Sequence, residues 1–260
     1  MEVGPLEQPQ EPVAKPRSFK ATWLAAGATL LFKAKGLLVL LKALPFAKFA
    51  LTGVTMAVMI AVEAWRYGLP FAFGFVLLIL IHELGHGLAM RLNGVQAGWP
   101  IFIPFMGAVI SMKGLPRNRA VEAAIAYGGP LAGTAASILV AGAGLVLESR
   151  LLLSLAYSGM FLNLFNMVPI SPLDGGRIAQ AFSKRAWIVG AVLMGALFLL
   201  TRSPQLALIG VMAFMQSRRT QNTEDREALS KVEQQTWAVR YFGLCLFLGL
   251  GMALTHRALG

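Results

Sequence analysis

The sequence predicts an all-α polytopic membrane protein: a bundle of about six or seven transmembrane helices with a small membrane-associated β-hairpin or sheet. Three observations predict it. Of the 260 residues, 57% are hydrophobic and only 13% charged, against about 25% charged in a typical soluble domain. Long apolar runs recur along the chain, near 49–65, 71–91, 120–147, 151–171, 187–201, 204–216 and 241–256, several of them long enough for a membrane helix. The net charge of +11 is distributed as a membrane topology requires. With the N-terminus in the cytoplasm, 19 of the 23 basic residues fall on the cytoplasmic side, and only Arg66, Arg150, Arg202 and Arg257 fall outside. Such a bias orients a chain in a bilayer. It accounts for the charge without nucleic acid, which is excluded as a partner. The expected setting is a plasma (bacterial inner) membrane, crossed several times, with the lipid bilayer as solvent.

Taken in order, residues 1–21 read as a disordered cytoplasmic tail rich in Pro, Glu and Gln. Residues 22–46 are apolar but carry Lys33, Lys35 and Lys42. Three ammonium groups at mid-depth are costly, so this segment is expected to be an interfacial or re-entrant helix. Residues 47–216 form the expected membrane core. Within it, residues 95–113 are apolar yet broken by Pro100, Pro104, Gly98 and Gly107, the pattern of short strands in a β-hairpin. Its edges cannot face lipid unpaired. Residues 120–147 are rich in small residues, and the Gly129/Gly133 spacing permits close helix approach. Ordinary tight packing is the expected role for most of these glycines. Residues 217–240 are polar and read as a cytoplasmic loop or surface helix, and 241–260 as a C-terminal transmembrane helix. The single cysteine, Cys245, allows no internal disulfide.

Chemistry concentrates in His82-Glu83-Leu84-Gly85-His86. Residues four apart share a helical face, so both imidazoles can reach one metal ion. Glu83 lies beside them, placed to take a proton from water. Two of the three histidines of the chain are in this segment, inside a membrane run, where buried polar groups without a function are expensive. A third protein ligand is needed. His256 falls at the outer end of the last span, and Asp225 sits among other charges in the polar loop. Asp174 follows Pro169 and Pro172 and precedes Gly175-Gly176, an irregular backbone of the kind tolerated at membrane depth where it lines a cavity. Glu122 and Glu148 would serve instead in a different class of membrane zinc protease. Depth favours Asp174. The spans 71–91 and 151–171 run in the same direction, and the histidines lie roughly 8–14 Å before the cytoplasmic end of the first, where Asp174 leaves the second. Asn166 could donate to an oxyanion, and Asn163, three residues earlier, is expected to pack the bundle.

Together, His82-Glu83-Leu84-Gly85-His86, Gly128-Gly129-Pro130 and Asn166-Met167-Val168-Pro169-Ile170-Ser171-Pro172-Leu173-Asp174-Gly175 resemble the site-2 protease family of intramembrane zinc metalloproteases. The resemblance spans roughly residues 49–180. It implies one zinc ion held by His82, His86 and Asp174, Glu83 as catalytic base, and Asn166 near the scissile bond. It also implies a hairpin that pairs with an unwound substrate, here a single-span membrane protein such as a membrane-tethered transcription regulator. The alternatives are a membrane metal-binding or transport protein, which would show polar groups stepping along several helices, and a catalytically inactive relative.

Overall fold

The structure, a computed structural model, describes residues 47–183, 185–217 and 229–260. The expected tail at 1–21, the expected helix at 22–46 and Asp225 lie outside these residues. Chain contacts divide after Lys48, and the architecture below is that of Phe49–Gly260.

Eight helices and two strands occur among the described residues: α1 (Ala47–Tyr67), α2 (Leu69–Leu92), β1 (Gln96–Ile103), β2 (Gly107–Lys113), α3 (Arg119–Val146), α4 (Arg150–Asn166), α5 (Asp174–Ala179), α6 (Ala186–Thr201), α7 (Pro204–Ser217) and α8 (Lys231–Leu259). Four of them, α1, α2, α3 and α8, are long and apolar enough to cross a membrane. The others are shorter. At 17 residues, α4 spans about 26 Å, a little less than a hydrocarbon core of about 30 Å.

Local signals set the boundaries. Pro70 stands in the first turn of α2, where its missing N–H costs nothing. The Asn118 side chain caps α3 by accepting from Val121 N at 2.9 Å, and Ser149 caps α4. The last helix begins at Lys231, ten residues before the apolar run at 241 marks it. A capping box explains the difference. Ser230 and Glu233 satisfy each other's backbone N–H groups, and the helix propagates through exposed polar residues before reaching its apolar stretch.

α3 lies at the centre, packed against α2 and α4. The buried residues of α2 lie on more than one side: Val76 and Ile79 pack with Met59 of α1 and Phe102 of β1, while Leu78, His86 and Met90 meet Ala136, Gly129 and Ile125 of α3. Glycines bring the two backbones together. A Cβ at Gly85 would run into the Gly128 carbonyl, and one at Gly128 into Gly85. The exposed apolar side chains, among them Leu77, Leu84, Leu88 and Leu139, form the faces that lipid would cover.

Strands β1 and β2 form a two-stranded antiparallel sheet within the expected hairpin, with Pro100 opposite Ile110 and Phe102 opposite Ala108. The outer edge of β1 is held by α1. Thr52 Oγ1 donates to Pro100 O at 2.6 Å, and Phe102 N donates to Thr55 Oγ1 at 3.2 Å. Because residues 100 and 102 turn these groups away from β2, their partners Ile110 and Ala108 turn theirs to the opposite edge.

Candidate metal centre

The only cluster of three potential metal-ligating residues among those described is His82, His86 and Asp174, all buried, with ligand atoms within 4.8 Å of one another. Their contacts are tighter than that limit. His82 Nε2 lies 3.2 Å from Asp174 Oδ2, His86 Nε2 lies 3.1 Å from the same oxygen, and the two Nε2 atoms are 3.1 Å apart.

The outer contacts of each ligand decide what this triangle can hold. Asn163 Nδ2 donates to Gly159 O at 2.7 Å, so its Oδ1, 2.8 Å from His82 Nδ1, can only accept. His86 Nδ1 lies 2.8 Å from the Ile125 carbonyl, another obligate acceptor. Both rings therefore carry their proton on Nδ1 when neutral, and both Nε2 lone pairs face inward. The other Asp174 oxygen, Oδ1, accepts from Arg177 Nη2 at 2.8 Å. Three lone-pair atoms then face one another with no proton between them. A cation resolves this arrangement. Zinc–nitrogen bonds of about 2.0–2.1 Å set neighbouring donors in a tetrahedron about 3.3–3.4 Å apart, close to the spacing found. Two imidazoles and a carboxylate suit zinc, and three protein ligands leave a fourth position open. The residues fit the ion.

The surrounding fold makes room for this set. A Cβ at Gly129 would collide with the His86 ring, and one at Gly133 with the Asn163 amide. Pro130 sits inside α3, unable to donate to the Ala126 carbonyl four residues back, and the neighbouring Ile125 carbonyl receives His86. Gly175 and Gly176 press α5 onto the Met167–Ser171 turn so closely that a Cβ at either would strike its backbone. The same turn is tied to α8, because the Tyr241 hydroxyl donates to Met167 O.

Of the other residues singled out in the sequence, Glu83 is buried beside the triangle, and the Ile110 N–H of β2 donates to its carboxylate. Asn166 is half-buried at the C-terminal end of α4, and its Nδ2 donates to Leu162 O at 3.2 Å. Asn163, expected to serve packing, instead grips His82. His256 lies against Tyr157, outside the cluster, as do Glu122 and Glu148. Arg177 escaped the sequence reading, although an arginine three residues after an aspartate on a short helix is a legible ion-pair spacing.

Comparison with known proteins turns on the same segment. Residues 70–150 match the sequence model described as peptidase family M50. Over those residues the chain is similar to peptidase family M50, the site-2 protease family. The M50 match includes His82, Glu83 and His86 and ends before Asp174. Curated relatives agree. "Probable zinc metalloprotease EGY1, chloroplastic" of Arabidopsis thaliana is 30% identical over 168 residues, covering 46% of this chain and 31% of that protein. "Zinc metalloprotease MJ0392" of Methanocaldococcus jannaschii is 28% identical over 145 residues, covering 51% of this chain and 40% of that protein. The chain thus spans about a third of the length of the relatives it matches. Among solved structures, the "Site-2 Protease from Methanocaldococcus jannaschii" aligns with a TM-score of 0.44 at 20% identity, covering 69% of this chain and 92% of that one. With four described helices long and apolar enough to cross a bilayer, the chain is a multi-pass membrane protein.

Proposed function

We propose that this protein is an intramembrane zinc metalloprotease that hydrolyses a peptide bond within or beside the transmembrane segment of a membrane-protein substrate. The observation that carries the reading is the convergence of His82 Nε2, His86 Nε2 and Asp174 Oδ2, three unprotonated donors with their outer contacts filled. Zinc bound there would supply Lewis acidity toward a carbonyl and toward water. Asn163 and the Ile125 carbonyl hold the two rings in the tautomer that presents Nε2, and Arg177 holds Asp174 so that one oxygen faces inward. Glu83 receives the proton of the attacking water on its carboxylate. Asn166, whose amide now bonds its own helix, turns to donate to the developing oxyanion.

The hairpin supports a substrate docked as an added strand. The outer edge of β1 is occupied by Thr52 and Thr55. The edge of β2, where Ile110 N–H reaches Glu83, is therefore the side on which an unwound segment pairs. The substrate in this reading is a single-span membrane protein such as a membrane-tethered transcription regulator. The N-terminus and the opening of the site lie toward the cytoplasm of a bacterial inner membrane, the side on which basic residues concentrate.

The test is cleavage of a single-span substrate by purified wild type, Glu83→Gln and Asp174→Ala, with zinc content measured for each. Loss of cleavage in both variants is expected, with zinc kept in Glu83→Gln and lost from Asp174→Ala. Full zinc retention without Asp174 overturns its role as a ligand, and zinc-free wild type overturns the enzyme reading.

A further inference from the structure

Away from the metal centre, where α2 ends and α3 and α8 begin, lies a cavity of about 420 Å³. Arg117, Ala120, Thr236, Trp237 and Arg240 line it, with Glu233 at its wall. Among the described residues its charge is unbalanced. Neither Arg117 nor Arg240 belongs to an ion pair among the described residues. Glu233 is the one carboxylate among the described lining residues, and its Oε2 already accepts from Ser230 N at 2.9 Å and Ser230 Oγ at 2.7 Å. The Arg240 guanidinium lies 4.9 Å above the Trp237 ring, a cation–π contact that orients the cation while leaving its N–H groups available. Ala120 belongs to the first turn of α3, which also carries Glu122 and is capped by the Asn118 side chain.

The position of the cavity is as informative as its charge. The same end of the bundle carries Arg91, Lys113, Arg119 and Lys231, so it lies at the level of lipid headgroups. Beneath the cations, Tyr127 and Trp237 meet edge to face with ring centroids 6.0 Å apart, aromatic side chains of the kind enriched at a membrane interface.

We propose that this cavity binds the phosphate-bearing headgroup of an anionic phospholipid. Guanidinium forks match phosphate oxygens in pairs, and a basic pocket between membrane helices is a setting in which lipid phosphates are held. A free phosphate ion offers the same oxygens. The headgroup is favoured because the acyl chains of a bound lipid can lie along α8, whose Val239, Phe242 and Phe247 are exposed just beyond the lining residues. The inference is independent of the protease reading, since no residue of the metal centre takes part.

The experiment measures lipid retention by native mass spectrometry on the purified full chain equilibrated with mixed micelles of phosphatidylglycerol and phosphatidylcholine. Wild type is expected to retain phosphatidylglycerol selectively. The Arg117→Gln/Arg240→Gln variant is expected to lose roughly thirtyfold in retention, about fivefold for each cation, while Arg150→Gln, at the start of α4, retains lipid as wild type does. The arginines are exposed, so the double variant should fold, and an unchanged melting curve verifies it. The Arg117→Lys/Arg240→Lys variant, which keeps the charge and loses the fork, should fall between the two. Equal retention of both lipids, or retention unchanged in the double glutamine variant, overturns the proposal. Saturable binding of inorganic phosphate that the double variant abolishes, without selective lipid retention, overturns the headgroup in favour of a free anion.

Discussion

Residues 69–179 and the α6–α7 pair are built from similar apolar material, yet the structure treats them differently. In the first region, His82, Glu83, His86, Asn163 and Asp174 are all at most 6% exposed, and hydrogen-bond partners or other ligands surround each. In the second, Gly190 and Met194 are the buried residues of α6, Trp187, Val192 and Leu200 are exposed, and Ala213 is the buried apolar residue of α7. The glycines make the contrast sharpest. Gly129 and Gly133 each leave space that a polar side chain fills, whereas Gly195 and Gly210 face nothing within 4 Å. Hydropathy alone gives both regions the same description. What separates them is whether a helix face meets protein atoms that must be placed accurately or a solvent that accepts any apolar surface.

Paired substitutions to alanine break this comparison most directly. In Gly129→Ala the new Cβ occupies the position of the His86 ring. That ring cannot yield without leaving the Ile125 carbonyl or shifting Nε2 from its place against Asp174. Zinc affinity should fall by about 100-fold, the upper range for disturbing the groups that orient a metal ligand. Gly195→Ala should leave zinc affinity unchanged and raise helix stability by about 0.5–1 kcal/mol. Competition with a chromophoric chelator measures the first quantity and thermal unfolding the second. Equal behaviour of the two variants would show that the packing around His86 is as permissive as the lipid-facing surface.

A second pair lies within one helix. Asn163→Ala removes the acceptor that fixes His82 Nδ1, and zinc affinity should drop about tenfold. Asn166→Ala removes a bond to Leu162 O only, and should leave zinc in place while slowing cleavage, if Asn166 acts on the oxyanion as proposed. Zinc lost equally from both would contradict the geometry.

These two asparagines mark the boundary of what the sequence discloses. The cluster of His82, His86 and Asp174 was legible, because His82 and His86 share a helical face by spacing and Asp174 stands in a proline- and glycine-rich break. The hairpin was legible from Pro100, Pro104 and Gly107, within a residue of its observed limits. Which asparagine turns toward His82 was not. Asn163 and Asn166 are separated by about 60° around the helix axis, and the choice rests on Gly133, on another helix, having no side chain where the Asn163 amide lies. That is a tertiary fact. The start of α8 differs in kind, since the signal was present. Ser230 and Glu233 form a capping box in the sequence itself, but the polar residues after them hide the helix from any reading by hydropathy.

The smallest effect is expected at Tyr241, where the two kinds of region meet. α8 is largely exposed along its length, yet Tyr241 is buried and its hydroxyl bonds Met167 O, 74 residues away in sequence. Met167 opens the turn that ends at Asp174, so this bond joins a lipid-facing helix to the carboxylate arm of the metal centre. Tyr241→Phe keeps the ring packed against Phe182 and removes only the donor, leaving the carbonyl unpaired. Thermal unfolding should show a loss of about 1 kcal/mol, with zinc affinity within about twofold of wild type, because Gly175 and Gly176 continue to press the turn against α5. A larger fall in zinc affinity, comparable to that of Asn163→Ala, would mean that the glycine contacts do not hold the turn alone. It would place α8 among the elements that position Asp174.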